Sequence, residues 1–335
     1  MLKKLMLLAV AGLTVFSCNV ADAGEKKIRV VLIDGQNNHD WRSTTPLMKK
    51  VLEESGRFVV DVATSPQIPS LPKPNKPKNE NDEEAVAKYK EALAKYEAAL
   101  PKFNEELKSA QSKYAKWHIH FDDYDVVVSN YNGQPWPKQI NTELEERLKA
   151  GKIGLVIVHA ANNAFGGWKE YNQMIGMGWR DKNYGKRLKL DDEGKTHIVP
   201  AGQDGSTSHA YTGPFKVIVR DQGHPVTKGM PLEWMHARDE LYDNLRGPIE
   251  NVHVLATGIA PAGKGTGVHE PMIFTISYGK GKVFHTPMGH DVTGMRCLGF
   301  VTTLQRGTEW AATGAVTLPI PSNFPSATKE SSLPK

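Results

Sequence analysis

The chain is poor in cysteine, in long apolar runs and in clustered charge. Its 335 residues hold two cysteines, Cys18 and Cys297. Cleavage after Ala23 would leave Cys297 alone, which excludes an internal disulfide. Beyond the first 16 residues no apolar run approaches the ~20 residues that cross a bilayer. Neither H-E-x-x-H nor H-x-x-x-H occurs, so no helical zinc motif is present. Gly166-Gly167 and the glycines of 263–267 follow no strand with phosphate-loop spacing, which removes a nucleotide reading. The 42 basic and 37 acidic residues are interleaved, and this argues against a nucleic-acid surface.

What is present begins with an export signal. Lys3 and Lys4 precede an apolar core over 5–16, and Ala21-Asp22-Ala23 forms an A-x-A cleavage site. The expected location is the periplasm or the exterior. Val15-Phe16-Ser17-Cys18 offers an alternative, a lipobox with a lipidated Cys18, although Phe16 fits it poorly. Cleavage removes Lys3, Lys4 and Asp22, leaving 40 basic and 36 acidic side chains. Residues 24–318 read as one α/β domain with an insert at about 67–117, and 319–335 as a draped or disordered tail rich in Pro, Ser and Thr. Cys297, in Met295-Arg296-Cys297-Leu298-Gly299-Phe300, reads as a buried structural thiol on a helix.

Strands are expected at 28–34, 58–63, 125–129 and 153–158. A helix capped by Ser43 or Thr44 runs to Glu54, and another covers 142–150. Strands alternating with helices imply βαβ units and a mostly parallel sheet. Later strands fall at 196–201, 215–219, 252–257, 272–278 and 283–285, with a closing helix at 294–308.

The insert departs from this pattern. Prolines at 66, 69, 72, 74 and 77 demand a loop or extended linker. A charged segment follows, with Val86, Tyr89, Leu93, Tyr96, Leu100, Phe103, Leu107, Ala110, Tyr114 and Trp117 at heptad spacing. Pro101 would cost about 3 kcal/mol inside a helix. The expectation is therefore a kinked helix, or two helices meeting near Leu100, lying against the domain. A homo-oligomerisation arm is the alternative.

The apolar run 154–158 ends abruptly in His159-Ala160-Ala161-Asn162-Asn163. Loops after parallel strands converge on one sheet edge, where such folds hold ligands. His39, in Asn38-His39-Asp40-Trp41, and His290, after Thr286-Pro287-Met288-Gly289, occupy similar positions. The candidate catalytic set is His159, His39, Glu240 and His290. Asp40, Trp41, Asn162, Asn163, His209, Tyr211 and Asp239 are candidate substrate-binding residues. His285 reads as a core or supporting residue, His224 as part of a turn, His253 as packing, and His118 and His120 as surface.

The motifs N-H-D-W, V-H-A-A, D-E-L-Y, Y-G-K-G-K-V-F-H-T-P-M-G-H and G-x-E-W-A-A, in that order, resemble the ThuA-like family named for trehalose utilisation. The resemblance runs from about Ile28 to Ala312, with the heptad segment as an addition. It implies a flavodoxin-like, doubly wound α/β fold of the class I glutamine amidotransferase-like superfamily, and a link to oxidised or keto-sugar metabolism. One departure matters. Amidotransferases place a cysteine on the strand-to-helix turn, whereas here it reads His159-Ala160-Ala161-Asn162, without a nucleophile. Glutamine hydrolysis is therefore rejected.

Imidazoles titrate near neutrality, so the set suits proton transfer on a small carbohydrate, for example beside the carbonyl of a 3-keto-sugar or its glycoside. Imidazoles with a carboxylate also suit a divalent metal, although no local spacing demands one. A noncatalytic carbohydrate-binding or interaction protein on the same fold is a third reading. No other cofactor is implied.

Overall fold

The computed structural model describes residues 26–334. The expected signal peptide and Cys18 lie outside them. Strands are β1 Ile28–Asp34, β2 Phe58–Thr64, β3 Val126–Ser129, β4 Gly154–Val158, β5 Lys186–Leu190, β6 Thr196–Val199, β7 Ser208–Val219, β8 Glu233–Asp243, β9 Arg246–Gly247, β10 Val252–Ile259, β11 Glu270–Tyr278 and β12 Gly281–Thr286. Helices are α1 Trp41–Glu54, α2 Glu83–Ala115, α3 Lys138–Lys149, α4 Lys169–Ile175, α5 Val292–Arg296 and α6 Leu298–Thr313.

Nine strands form one mixed sheet in the order β2-β1-β3-β4-β12-β11-β10-β7-β8. The first five are mutually parallel. From β12 onward each neighbour is antiparallel, so β11 and β7 run against the remaining seven. The α/β expectation holds, with a larger antiparallel portion than βαβ alternation implied. β1, β3 and β4 are buried on both faces, which explains their unbroken Val/Ile/Leu runs. The crossovers β1–α1–β2 and β3–α3–β4 travel in opposite directions along the sheet. Right-handedness then places α1 and α3 on opposite faces. α6 joins α1 and covers β3, β4 and β12. β6, β5 and β9 form a small second sheet. Arg187 bridges from it to buried Glu270 on β11.

Several local expectations are corrected. α1 begins at Trp41 with Asp40 at its N-cap, and Ser43 Oγ donates to Asp40 Oδ2 at 2.6 Å. The cap thus lies three residues before Ser43. β5 and β8 lacked a readable pattern because buried charges such as Arg187, His236, Asp239 and Glu240 interrupt their apolar alternation. The closing helix is two helices broken at Cys297, whose extended backbone (φ −55°, ψ 126°) stops α5 and starts α6. His253 is not core packing: it is exposed and its Nε2 lies 3.1 Å from Asp221. The tail is draped, with Met235 N–H donating to Ser326 O at 2.8 Å and Leu298 N–H to Ser331 O at 2.8 Å.

The insert also differs. α2 is one helix with Pro101 inside it. Glu97, whose carbonyl loses its partner to Pro101, and Pro101 itself are both exposed, so water can satisfy that carbonyl. α2 makes no substantial contact with another helix or strand, and Tyr114 is its one buried residue. It therefore stands away from the domain. Residues 65–82 lead into α2, and Ile68 lines one cleft with Gln111, Tyr114 and Ala115 near the end of that helix. The segment leaves the domain where Ser65 N–H donates to Asp34 O at 3.0 Å. α2 returns where Tyr114 Oη lies 2.7 Å from Tyr131 Oη. A 33-residue helix is about 50 Å long, and eighteen residues of polyproline II span about 56 Å. Ile68, Leu71, Pro74 and Pro77 are half-buried at the three-residue period of polyproline II, and the heptad positions of α2 are half-buried as well.

Candidate functional site

The loops after β1, β4 and β12 bring His39, His159 and His290 together, as the sheet-edge argument expects. Their ring centroids lie 4.8 Å (His39–His159), 4.8 Å (His39–His290) and 5.5 Å (His159–His290) apart, all edge to face. β8 adds Glu240 and β7 adds His209. Glu240 Oε1 lies 3.4 Å from His290 Nε2 and 3.7 Å from His209 Nε2, and its Oε2 lies 3.6 Å from His159 Nε2. One carboxylate thus serves three imidazoles.

His159 forms the floor. It takes φ +45°, a left-handed backbone that costs a non-glycine residue about 1–2 kcal/mol. Such strain persists where the surroundings over-determine it. Its Nδ1–H donates to Pro287 O at 2.6 Å, which leaves Nε2 as acceptor for the Tyr242 hydroxyl at 2.9 Å. Tyr242 was absent from the expected site. The signal was available: it follows Glu240 by two residues on β8, hence on the same face.

His39 is half-buried, and its Nδ1 lies 3.2 Å from Asn37 Oδ1. Burial and then the imidazoles of His159 and His290 push it down to about 4, so it is neutral at pH 7. Burial alone would raise Glu240, but His159, His290 and His209 outweigh it and hold the carboxyl below its ordinary value. His290 Nδ1 lies 3.5 Å from Asp291 Oδ2. Gly289, at φ +101°, lets the loop pass close over Phe300, whose ring would lie 2.7 Å from a Cβ at this position.

Asp239 is corrected from substrate-binding to structural. It is buried, and its oxygens are occupied. Oδ2 accepts from Gly289 N at 2.6 Å and lies 2.9 Å from His236 Nε2. Oδ1 accepts from His290 N and Glu240 N, each at 2.9 Å. Burial disfavours charge on His236, but Cys297 and Asp239 beside it raise it to about 10. Cys297 is buried as expected, behind this pair.

Asn162 is likewise inward. Its Nδ2–H donates to His285 Nε2 at 3.2 Å and its Oδ1 accepts from Trp179 N at 3.3 Å. His285 is the expected supporting residue, with Nδ1–H donating to Ile175 O at 2.9 Å. Asn163 is half-buried, and its Oδ1 has no protein partner. Arg180, missed from sequence, ties the whole turn. Its guanidinium donates to Asn162 O at 3.0 Å, Asn163 O at 3.0 Å and Ala164 O at 2.6 Å.

Asp40 is exposed at the start of α1, and Trp41 lies under the Arg42 guanidinium at 4.3 Å. Tyr211 is not drawn into the cluster; its hydroxyl donates to Pro214 O at 2.9 Å within its own strand. His209 is 46% exposed and sits 5.7 Å from the Trp179 ring. A surface cleft of about 720 Å³ lies apart, lined by Gly166, Lys169, Tyr184 and Lys186 with no histidine. Chemistry favours the imidazole cluster over it.

The family described as "ThuA: Trehalose utilisation" matches residues 75–311, a span that includes α2 and Glu240 but begins after His39. The chain is similar to a ThuA-like protein from Parabacteroides merdae ATCC 43184, at 35% identity and a TM-score of 0.74, over 92% of this chain and 98% of that one. It also resembles a ThuA-like protein from Bacteroides uniformis ATCC 8492, at 16% identity and a TM-score of 0.49, over 88% and 96%. No curated protein matches.

Proposed function

The chain belongs to the ThuA (trehalose utilisation) family, and from that premise we propose that the imidazole pocket acts on a carbohydrate by proton transfer. The family description supports a carbohydrate-related role. The observation that carries the chemistry is the convergence of His159, His209 and His290 on Glu240 within 3.7 Å. The preferred substrate class is a keto-sugar or its glycoside. A carbonyl acidifies the neighbouring C–H, so one imidazole facing Glu240 suffices to remove that proton. The electron pair moves to the carbonyl oxygen as an enolate. Its return expels the β-oxygen as an alcohol, protonated by a second imidazole. His209 and His290, 46% and 30% exposed, are the rings that reach a substrate, while His159 and Tyr242 form the floor. The full chain acts after export, as its amino-terminal pattern proposes.

The test is incubation of the purified chain with 3-keto-trehalose and related 3-keto-glycosides, with products followed by NMR. The reading expects a cleaved or isomerised sugar from the wild type and at least a hundredfold slower reaction from Glu240→Gln. Saturable sugar binding with no product across the panel would replace the enzyme by a carbohydrate-binding protein.

A further inference from the structure

We infer that His39, Glu240 and His290 bind one divalent transition-metal ion through a single ligand atom each. The two histidines and the glutamate place those atoms within 4.8 Å of one another, and among the described residues no other such group of three meets this distance. Ligands about 2.1 Å from a tetrahedral ion stand roughly 3.4 Å apart, so closure of the widest separation by about 1.4 Å completes the site.

A second feature points the same way. Metal-binding histidines usually use their other ring nitrogen on an oxygen acceptor, which fixes ring and tautomer. The His39 ring does so here, and His290 Nδ1 faces a carboxylate at a longer, ion-pair distance. His39 Nδ1 lies 3.2 Å from Asn37 Oδ1, and His290 Nδ1 lies 3.5 Å from Asp291 Oδ2. Each Nε2 is left for the ion, and His290 Nε2 already lies 3.4 Å from Glu240 Oε1. His159 is not a ligand, because Tyr242 occupies its acceptor nitrogen. Two neutral imidazoles and one carboxylate select Zn²⁺, Fe²⁺, Co²⁺ or Mn²⁺ over Mg²⁺, and leave positions open for water or a substrate oxygen. What the ion would do, polarising a sugar carbonyl while His209 carries the proton, rests on the carbohydrate reading. That it binds does not.

The experiment uses the full chain, stripped with chelator and titrated with Co²⁺ alone, read by visible absorption and by metal content after gel filtration. The expected result is one Co²⁺ per chain, displaced by Zn²⁺ but not by Mg²⁺. Glu240→Gln and His39→Asn should each weaken binding more than about tenfold, and Asn37→Ala by about tenfold. His253→Asn, at an exposed histidine remote from the cluster, should bind like wild type. Circular dichroism identifies folded variants; if Glu240→Gln fails to fold, His290→Asn replaces it. No saturable Co²⁺ binding, or binding unchanged in the folded ligand variants, overturns the inference. Bound Co²⁺ without sugar turnover keeps the metal site and sinks the reading of proton transfer on a sugar. Turnover by a chain that binds no Co²⁺ does the reverse.

Discussion

Asp239 Oδ1 accepts the backbone N–H of His290 at 2.9 Å while its neighbour Glu240 points into the pocket. Successive residues of β8 therefore share the work. One fixes the loop that carries His290, and the other faces its imidazole. Removing Asp239 strands the charge of His236 and frees that loop. Asp239→Ala should lose about 3–5 kcal/mol in urea unfolding, as expected for breaking a buried ion pair. An unfolding midpoint within error of wild type would show that His236 and the loop do not depend on it.

The pH dependence follows from His285. Burial holds it down to about 3 from an ordinary 6.5. The unfolded chain takes up a proton near 6.5 while the folded chain resists, so its contribution is complete above pH 6.5 and is lost as pH falls toward 3. The slope should be up to about 1.4 kcal/mol per pH unit in that window. His285→Gln, which cannot titrate, should lower the slope by that amount and leave the part due to other depressed imidazoles such as His39. Urea titrations between pH 7 and 4 measure the slope directly, and identical slopes for both proteins would refute the assignment.

Arg180 donates to the carbonyls of three successive residues and to Asn172 Oδ1. Lysine keeps the charge but not the planar fork. Arg180→Lys should cost about 2–4 kcal/mol, since hydrogen bonds from charged donors are worth about 1.5–3 kcal/mol each and several are lost. The turn below His159 should also become labile in amide exchange. Unaltered protection across 159–165 would count against this role.

His159→Asn and His159→Val separate backbone strain from side-chain chemistry. Asparagine tolerates φ +45°, whereas a β-branched residue does not. Both should lose sugar turnover. Thermal unfolding should place valine about 1–2 kcal/mol below asparagine, and equal stability would mean the strain is not paid at this residue.

Because α2 buries one side chain and packs on no other helix or strand, deletion of 70–110 with a short glycine linker should leave the domain folded. The melting temperature should shift by less than about 3 °C, roughly the effect of 1 kcal/mol in a protein this size. Light scattering on the same pair tests the proposed oligomerisation role. A mass per particle that changes with the deletion supports an arm, and an unchanged oligomer rules it out.

Much of this was legible because function sits where hydrophobic strands stop. The runs of β1 and β4 announce their own ends, and His39 and His159 follow directly. Glu240 and His290 were found as motif residues. Their partners were harder to see. Tyr242 and Arg180 act through contacts that join residues far apart in sequence or use backbone carbonyls, which leave no mark on residue type. Asp239 and Asn162 look like surface polar residues until burial shows their atoms occupied. β5 and β8 were missed for a related reason: ion pairs inside the fold erase the alternation that identifies a strand. Pro101 leaves one helix, the first of the two expected forms, because the carbonyl it orphans belongs to exposed Glu97.

The helix α2 and the proline segment that leads into it have nearly the same contour length, at about 1.5 Å per residue on one and about 3.1 Å on the other, as two sides of one hairpin would need. Extending the helix by four residues therefore calls for about two more in the extended rail; lengthening either alone would bow the hairpin or uncover its stripe. The protrusion is in effect a ruler whose reach can be reset only by editing both sides together.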